Sequence, residues 1–303
     1  MNNAGETTNS LPSETGSQPR QVLRIIRPQT VSEGAGVLLK RSIATRELDY
    51  LDPFLLFDHF GSDNPDDYLA GFPWHPHRGI ETVTYVLAGI VHHRDSIGNS
   101  GSIGAGDVQW MTAGRGIMHE EMPATHQGMM AGFQLWVNLP ASLKMTGPRY
   151  QEISADQIPE VALEDGAVVR VIAGTVGGVT GPVKDIFADP TYLDVTLEPD
   201  SSFTRPITRG HTAFAYLFEG AGTFGIAGQG NGAPVEYPTL VVFDDGDHVR
   251  IQTQDRAARY LLVSGKPLHE PIARYGPFVM NTREEIQQTL RELQEGTFPP
   301  PPN

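Results

Sequence analysis

The chain reads as an all-β protein of two tandem barrel- or sandwich-like domains, closed by one short C-terminal helix. Three observations predict this. Short β-branched and aromatic runs recur between glycines, as in Glu81-Thr-Val-Thr-Tyr-Val-Leu-Ala-Gly89, which suits a pleated, half-buried surface. Helix-period patterning is scarce until the end of the chain, while 33 glycines and 24 prolines punctuate the rest. One stretch also repeats. Arg78-Gly79 followed by ETVTYVLAG resembles Arg209-Gly210 followed by TAFAYLFEG, and Phe133-Gln-Leu-Trp-Val-Asn-Leu-Pro resembles Arg259-Tyr-Leu-Leu-Val-Ser-Gly-Lys-Pro.

Taken in order, residues 1–20 are polar and nearly free of large apolar side chains, so a disordered tail is expected there. The first domain is expected over 21–145 and the second over 146–268, with 269–303 holding the helix and a tail. Inside the first domain, Gly104-Ala-Gly106-Asp107 reads as a turn, Val108–Thr112 as a strand and Ala113-Gly-Arg-Gly116 as a second turn, after which Ile117 leads into His119. Near the end, Thr282-Arg-Glu-Glu285 is a capping box, each side chain bonding the other residue's backbone N–H. Ile286, Leu290 and Leu293 then form an apolar stripe, and Gly296 stops the helix. A helix that covers a barrel is the expected role, and Phe298-Pro-Pro-Pro-Pro-Asn303 reads as a frayed end.

Composition excludes several classes. There is no cysteine, so disulfides, thiolate metal sites and thiol catalysis are ruled out. The net charge of −14 opposes direct, non-specific nucleic-acid binding, which needs a basic footprint. No apolar stretch approaches membrane-spanning length, and the N-terminus has no basic segment followed by an apolar core. A cytoplasmic protein is expected, with the nucleus open to it in a eukaryote.

The residues that carry chemistry cluster in two places. Trp74-His75-Pro76-His77 holds two histidines one residue apart, and Met118-His119-Glu120-Glu121 holds a third with a carboxylate two residues on. Alternate residues of a strand share a face, so each pair can present two ligand atoms to one interior. Three imidazoles and a carboxylate form a donor set for Fe(II) or another divalent first-row ion. Glu81 shares parity with His75 and His77, Glu121 with His119, and parity alone does not choose between them. The second copy acts as an internal control. At the repeat offset Pro206 and Thr208 stand where His75 and His77 stand, so one metal site is expected, in the first domain.

Other polar residues are expected elsewhere. His92 and His93 are adjacent, point to opposite faces, and are placed on a surface turn. His59 reads as a structural histidine. Arg115 either attracts an anionic substrate or pairs with a surface carboxylate. Gln134, Trp136 and Asn138 alternate with Phe133, Leu135 and Val137, and one set must face the interior.

The stretch His75-x-His77-x3-Glu81-x7-Gly89 resembles the first cupin motif, with one extra residue before the last glycine. HPHRGIETVTYVLAG, GDVQWMTAGRGIMHEEMP, GFQLWVNLP, FDHFG and GPFVMNTREEIQQTLRELQEGTF together resemble the pirin family, a branch of the cupin superfamily, over about residues 21–298. That resemblance implies two tandem cupin barrels with iron in the first alone. Its ligands fall on His75, His77, His119 and Glu121, with Glu81 outside the ligand set, holding a ligand histidine by its other ring nitrogen. It implies a quercetin (flavonol) 2,3-dioxygenase acting on a small aromatic, flavonol-like substrate with O₂. It also offers a metal- or redox-dependent regulator that binds a transcription factor or metabolic enzyme as its protein partner.

Overall fold

The computed structural model describes residues 17–124, 128–225 and 234–299. The expected tail falls mostly outside them. Its last residues are fixed instead: Arg20 is buried, and its guanidinium donates to the carbonyls of Gly246, His211, Asp244 and Thr208. That many backbone acceptors offset the cost of burying the charge.

Every ladder between named strands is antiparallel, and the described residues contain one α-helix, Arg283–Gln294. No described helix is long and apolar enough to cross a membrane. The first half is a jelly-roll of two facing sheets. Seven strands run in the order Arg149–Ile153, Val108–Thr112, Ile80–Ala88, Met130–Asn138, Phe54–Ser62, Val37–Ile43, Gln29–Glu33. Opposite lie Phe72–His77, Ile117–Pro123, Val91–Asp95 and Ser100–Ile103. The second half is built on one large curled sheet whose central strand, Thr212–Phe224, pairs with both Thr239–Phe243 and Ala258–Gly265.

The repeat is real in three dimensions. Ile80–Ala88 pairs with Met130–Asn138 as Thr212–Phe224 pairs with Ala258–Gly265. Both repeat strands are preceded by a glycine at φ 77°, Gly79 and Gly210. At Gly79 a side chain is impossible on two counts, because a Cβ there would also lie 1.9 Å from the Val279 carbonyl oxygen.

The two large sheets pack face to face between the halves. Phe57, Val83, Tyr85, Trp110 and Phe133 of the first half share one core with Phe214, Tyr216, Leu240, Leu261 and Val263 of the second. Ile80–Ala88 is buried on both faces from Ile80 to Val86, with Val83 and Tyr85 facing the other half and the polar Thr82 and Thr84 buried on the opposite face. We propose the expected boundary at 145/146 as the division between units. Three segments cross it: Arg149–Ile153, which pairs with Val108–Thr112 in the first half's sheet, and both chain ends. Val22–Ile26 pairs with Thr239–Phe243 in the second half's sheet, and the C-terminal segment returns to the first half, where the Val279 backbone N–H donates to the Arg78 carbonyl.

The helix begins at the expected capping box. Its buried face differs from the expectation: Ile286 and Thr289 are buried, Leu290 packs beside them, and Leu293 is 40% exposed. The tail is corrected as well. Phe298 is buried against Phe278 with the Arg78 guanidinium over its ring, so fraying cannot begin before it. The prolines from 300 onward lie outside the described residues.

Candidate metal centre

His75 and His77 sit on Phe72–His77, and His119 and Glu121 on its neighbour Ile117–Pro123. The pairing places His119 directly opposite His75. Along Ile117–Pro123 the buried positions are Ile117, His119 and Glu121, so the parity argument holds on that strand. The ligand atoms of His75, His77 and His119 all lie within 4.8 Å of one another. Glu121 lines the same cavity but is not among these converging atoms. Its Oε1 accepts from the Thr84 hydroxyl at 3.1 Å.

The protonation pattern suits a metal. His75 Nδ1 donates to the Pro73 carbonyl at 2.9 Å, which leaves Nε2 with its lone pair. Burial pushes His77 and His119 well below the ordinary histidine range, and the neighbouring histidines add to this. Both rings are therefore neutral at physiological pH. Nδ1 of His77 and both ring nitrogens of His119 are buried without a hydrogen-bond partner. Buried nitrogens left unpaired cost free energy, and a cation coordinated by them would remove that cost. Three converging imidazoles beside a carboxylate fit a divalent first-row ion.

Glu81 is not where expected. The turn at Gly79 separates it from the histidine strand, so counting parity across that turn fails. Its carboxyl accepts from Trp110 Nε1 at 3.1 Å and Thr112 Oγ1 at 2.7 Å, and no histidine among the described residues bonds it. Burial raises its pKa. His92 and His93 lie on the strand Val91–Asp95 rather than on a turn. They do face opposite ways: His92 meets Ser102 at the surface, while His93 is buried, stacked on Tyr150 at 5.8 Å. His59 is structural as read, its Nδ1 3.0 Å from the Tyr216 hydroxyl of the second half. Arg115 does not line the cavity; its carbonyl accepts from Arg78 Nε at 2.6 Å.

The cavity in front of the histidines measures about 460 Å³, within the usual range for small-molecule sites. Of the alternating set, Gln134 and Trp136 face it, and Phe133, Leu135 and Val137 face the other half. Trp136 meets His77 edge to face at 5.1 Å. Leu39, Leu56, Phe60 and Phe72 add apolar wall, and Thr84 with Gln134 supplies polar groups.

Sequence reasoning missed the residues that brace this site. Arg78 is fully buried. It ties the histidine turn to the carbonyl of Arg115, to Thr289 Oγ1 at 2.8 Å and to Glu292 Oε2 at 2.5 Å. Lys144 is buried too, donating to the Gly79 and Val279 carbonyls and to Asn138 Oδ1. The visible signal was a charged residue inside the HPHRG motif, but its side-chain partners, Thr289 and Glu292, lie 211 and 214 residues away.

Known proteins resemble the chain along nearly its whole length. The Pirin family model matches residues 36–137, and the Pirin C-terminal cupin domain model matches 192–299. A pirin-like protein of Caulobacter vibrioides is 45% identical over 285 residues, covering 92% of this chain and 99% of its own. Pirin of Homo sapiens is 42% identical, covering 92% and 93%. A solved structure of quercetin 2,3-dioxygenase from Acinetobacter baumannii superposes with a TM-score of 0.84 at 34% identity, covering 93% of this chain and 99% of that one. With both cupin domains matched and relatives this similar along nearly the whole chain, the protein belongs to the pirin family.

Proposed function

We propose that the protein holds one divalent first-row ion, iron(II), through His75, His77, His119 and Glu121, and uses O₂ to cleave a flavonol such as quercetin. One observation carries this: the ligand atoms of three imidazoles converge within 4.8 Å of one another, and two of the rings, His75 and His77, line a cavity walled by flat and apolar side chains. The solved quercetin 2,3-dioxygenase at 34% identity supports the same reading. An ion in this donor set supplies Lewis acidity toward a substrate hydroxyl and, as iron, redox chemistry toward O₂.

The chain's own residues do the rest. Trp136, Phe60 and Phe72 present surfaces against which a planar ring can stack and exclude water. The Thr84 hydroxyl lies between Glu121 Oε1 and Gln134 Oε1, at 3.1 and 2.7 Å, and this polar group orients a hydroxylated ring toward the histidines. Arg78 and Lys144 hold the turn after His77 from behind, so the nitrogens are positioned before anything binds.

The test is O₂ uptake and loss of quercetin absorbance with iron-loaded protein, set against His77→Ala and against zinc-loaded protein. Turnover well above free iron, lost in both controls, is expected. Turnover no faster than free iron, or equal turnover with zinc, would overturn the dioxygenase reading and leave the regulator expected from the sequence.

A further inference from the structure

We propose that Arg274 forms a second recognition point in this cavity, for the anionic group of an aromatic carboxylate substrate. The inference rests on reading the cavity as a substrate site, and it goes further by naming a charged substrate class and the residue that selects it.

The cavity wall carries two guanidinium groups, Arg41 and Arg274. They differ in what they already hold. Arg41 is committed: Nε and Nη2 donate to both oxygens of Asp58 at 2.8 and 2.7 Å, and Nη1 donates to Glu33 at 2.6 Å. This two-pronged pairing leaves it little to offer a ligand. Arg274 has no carboxylate within ion-pair distance among the described residues. Nη1 donates to the Leu55 carbonyl at 3.1 Å and Nε to the Gly276 carbonyl at 3.3 Å. Those bonds aim the group, and Asp49, Asp58 and Glu33 act on it through longer-range attraction without a direct ion pair.

Its position suits a ligand that also reaches the histidines. The Arg274 guanidinium lies over the Trp136 ring, 5.2 Å from its centroid. Trp136 in turn meets His77 at 5.1 Å. One aromatic side chain therefore separates this exposed guanidinium from the metal centre. A planar substrate stacked along this wall would place its oxidisable hydroxyl near the histidines and a carboxylate against Arg274. A planar guanidinium matches a carboxylate with two parallel hydrogen bonds. The Ala273–Tyr275 and Phe278–Met280 hairpin that carries Arg274 belongs to the returning C-terminal segment. The C-terminal segment thus supplies the selectivity of a site in the first half.

The experiment measures binding, without turnover, of 2-naphthoate and its uncharged isostere 2-naphthamide to zinc-loaded protein, by calorimetry. Wild type is expected to prefer the carboxylate roughly tenfold or more, the usual scale for a charge-assisted hydrogen-bonded pair. Arg274→Gln is expected to lose that preference at unchanged zinc content, and Arg274→Lys to keep part of it. No preference in wild type, or a preference that survives in Arg274→Gln, overturns the proposal. So does a preference that disappears on chelation while persisting in Arg274→Gln, since the ion would then be reading the carboxylate. None of these outcomes depends on quercetin turnover, so failure of the dioxygenase reading is separately visible.

Discussion

Glu121 and Glu81 are chemically identical and sit in opposite situations. Glu121 lines the cavity beside Thr84, while Glu81 is buried against Trp110 and Thr112. Glu121→Gln removes a charged donor next to the imidazoles and is expected to lower metal affinity by about 10- to 100-fold. Glu81→Gln is expected to leave metal content unchanged in elemental analysis. The reverse order would show that the wrong carboxylate had been assigned. His59 gives a second test at this scale. Burial, reinforced by Lys40, pushes its pKa down to about 4, whereas the unfolded chain titrates near 6.5. The unfolded state thus binds more protons between these values. The neutral ring's contribution is complete above pH 6.5 and is lost as pH falls toward 4. The full span corresponds to roughly 3 kcal/mol. Urea unfolding of wild type and His59→Gln at pH 7 and pH 4.5 should show a steeper acid loss in wild type, and parallel pH profiles would contradict the assignment.

At the scale of elements, the C-terminal helix is more than a cover. Its buried Thr289 accepts from Arg78 Nη1 and donates to the Glu285 carbonyl, and Glu292 accepts from Arg78 Nη2. Thr289→Val keeps the shape and removes the acceptor, leaving part of a buried guanidinium unpaired. The expected cost is about 1–3 kcal/mol in chemical denaturation. Leu293→Ser, on the exposed side of the same helix, should change stability by less than about 0.5 kcal/mol. Equal effects would mean that the helix is held by its apolar stripe rather than by Arg78. The stripe was legible from spacing. The choice of Thr289 over Leu293 as a buried position was not, because it depends on an arginine on a distant turn.

For the whole molecule, the interface between the halves mixes apolar burial with a polar lock. The Tyr85 hydroxyl donates to Asp194 at 2.6 Å and accepts from Arg170 at 3.0 Å, and Arg259 holds both oxygens of Asp194. Because one apolar core spans the two sheets, the metal-free protein is expected to unfold in one transition. Tyr85→Phe should move that transition down by about 1–3 kcal/mol without splitting it. Two separated transitions in calorimetry, with Tyr85→Phe shifting neither, would show that the halves are independent.

Much of this protein was determined by local sequence. Glycine-bounded β-branched runs, a repeated strand and a capping box are short-range patterns, and each specifies its element through backbone conformation and side-chain period. The convergence of His75, His77 and His119 was legible for the same reason, since alternation within a strand places His75 and His77 on one face. Tertiary structure decided what crosses between elements. It broke the parity count at Gly79 and so turned Glu81 away. It moved His93 from an expected surface turn to a buried strand position, and chose Trp136 over Phe133 for the cavity. It also sent Val22–Ile26 and the C-terminal segment to opposite halves. These outcomes depend on which sheet face packs against which, a long-range competition for burial and for hydrogen-bond partners that no window of neighbouring residues contains.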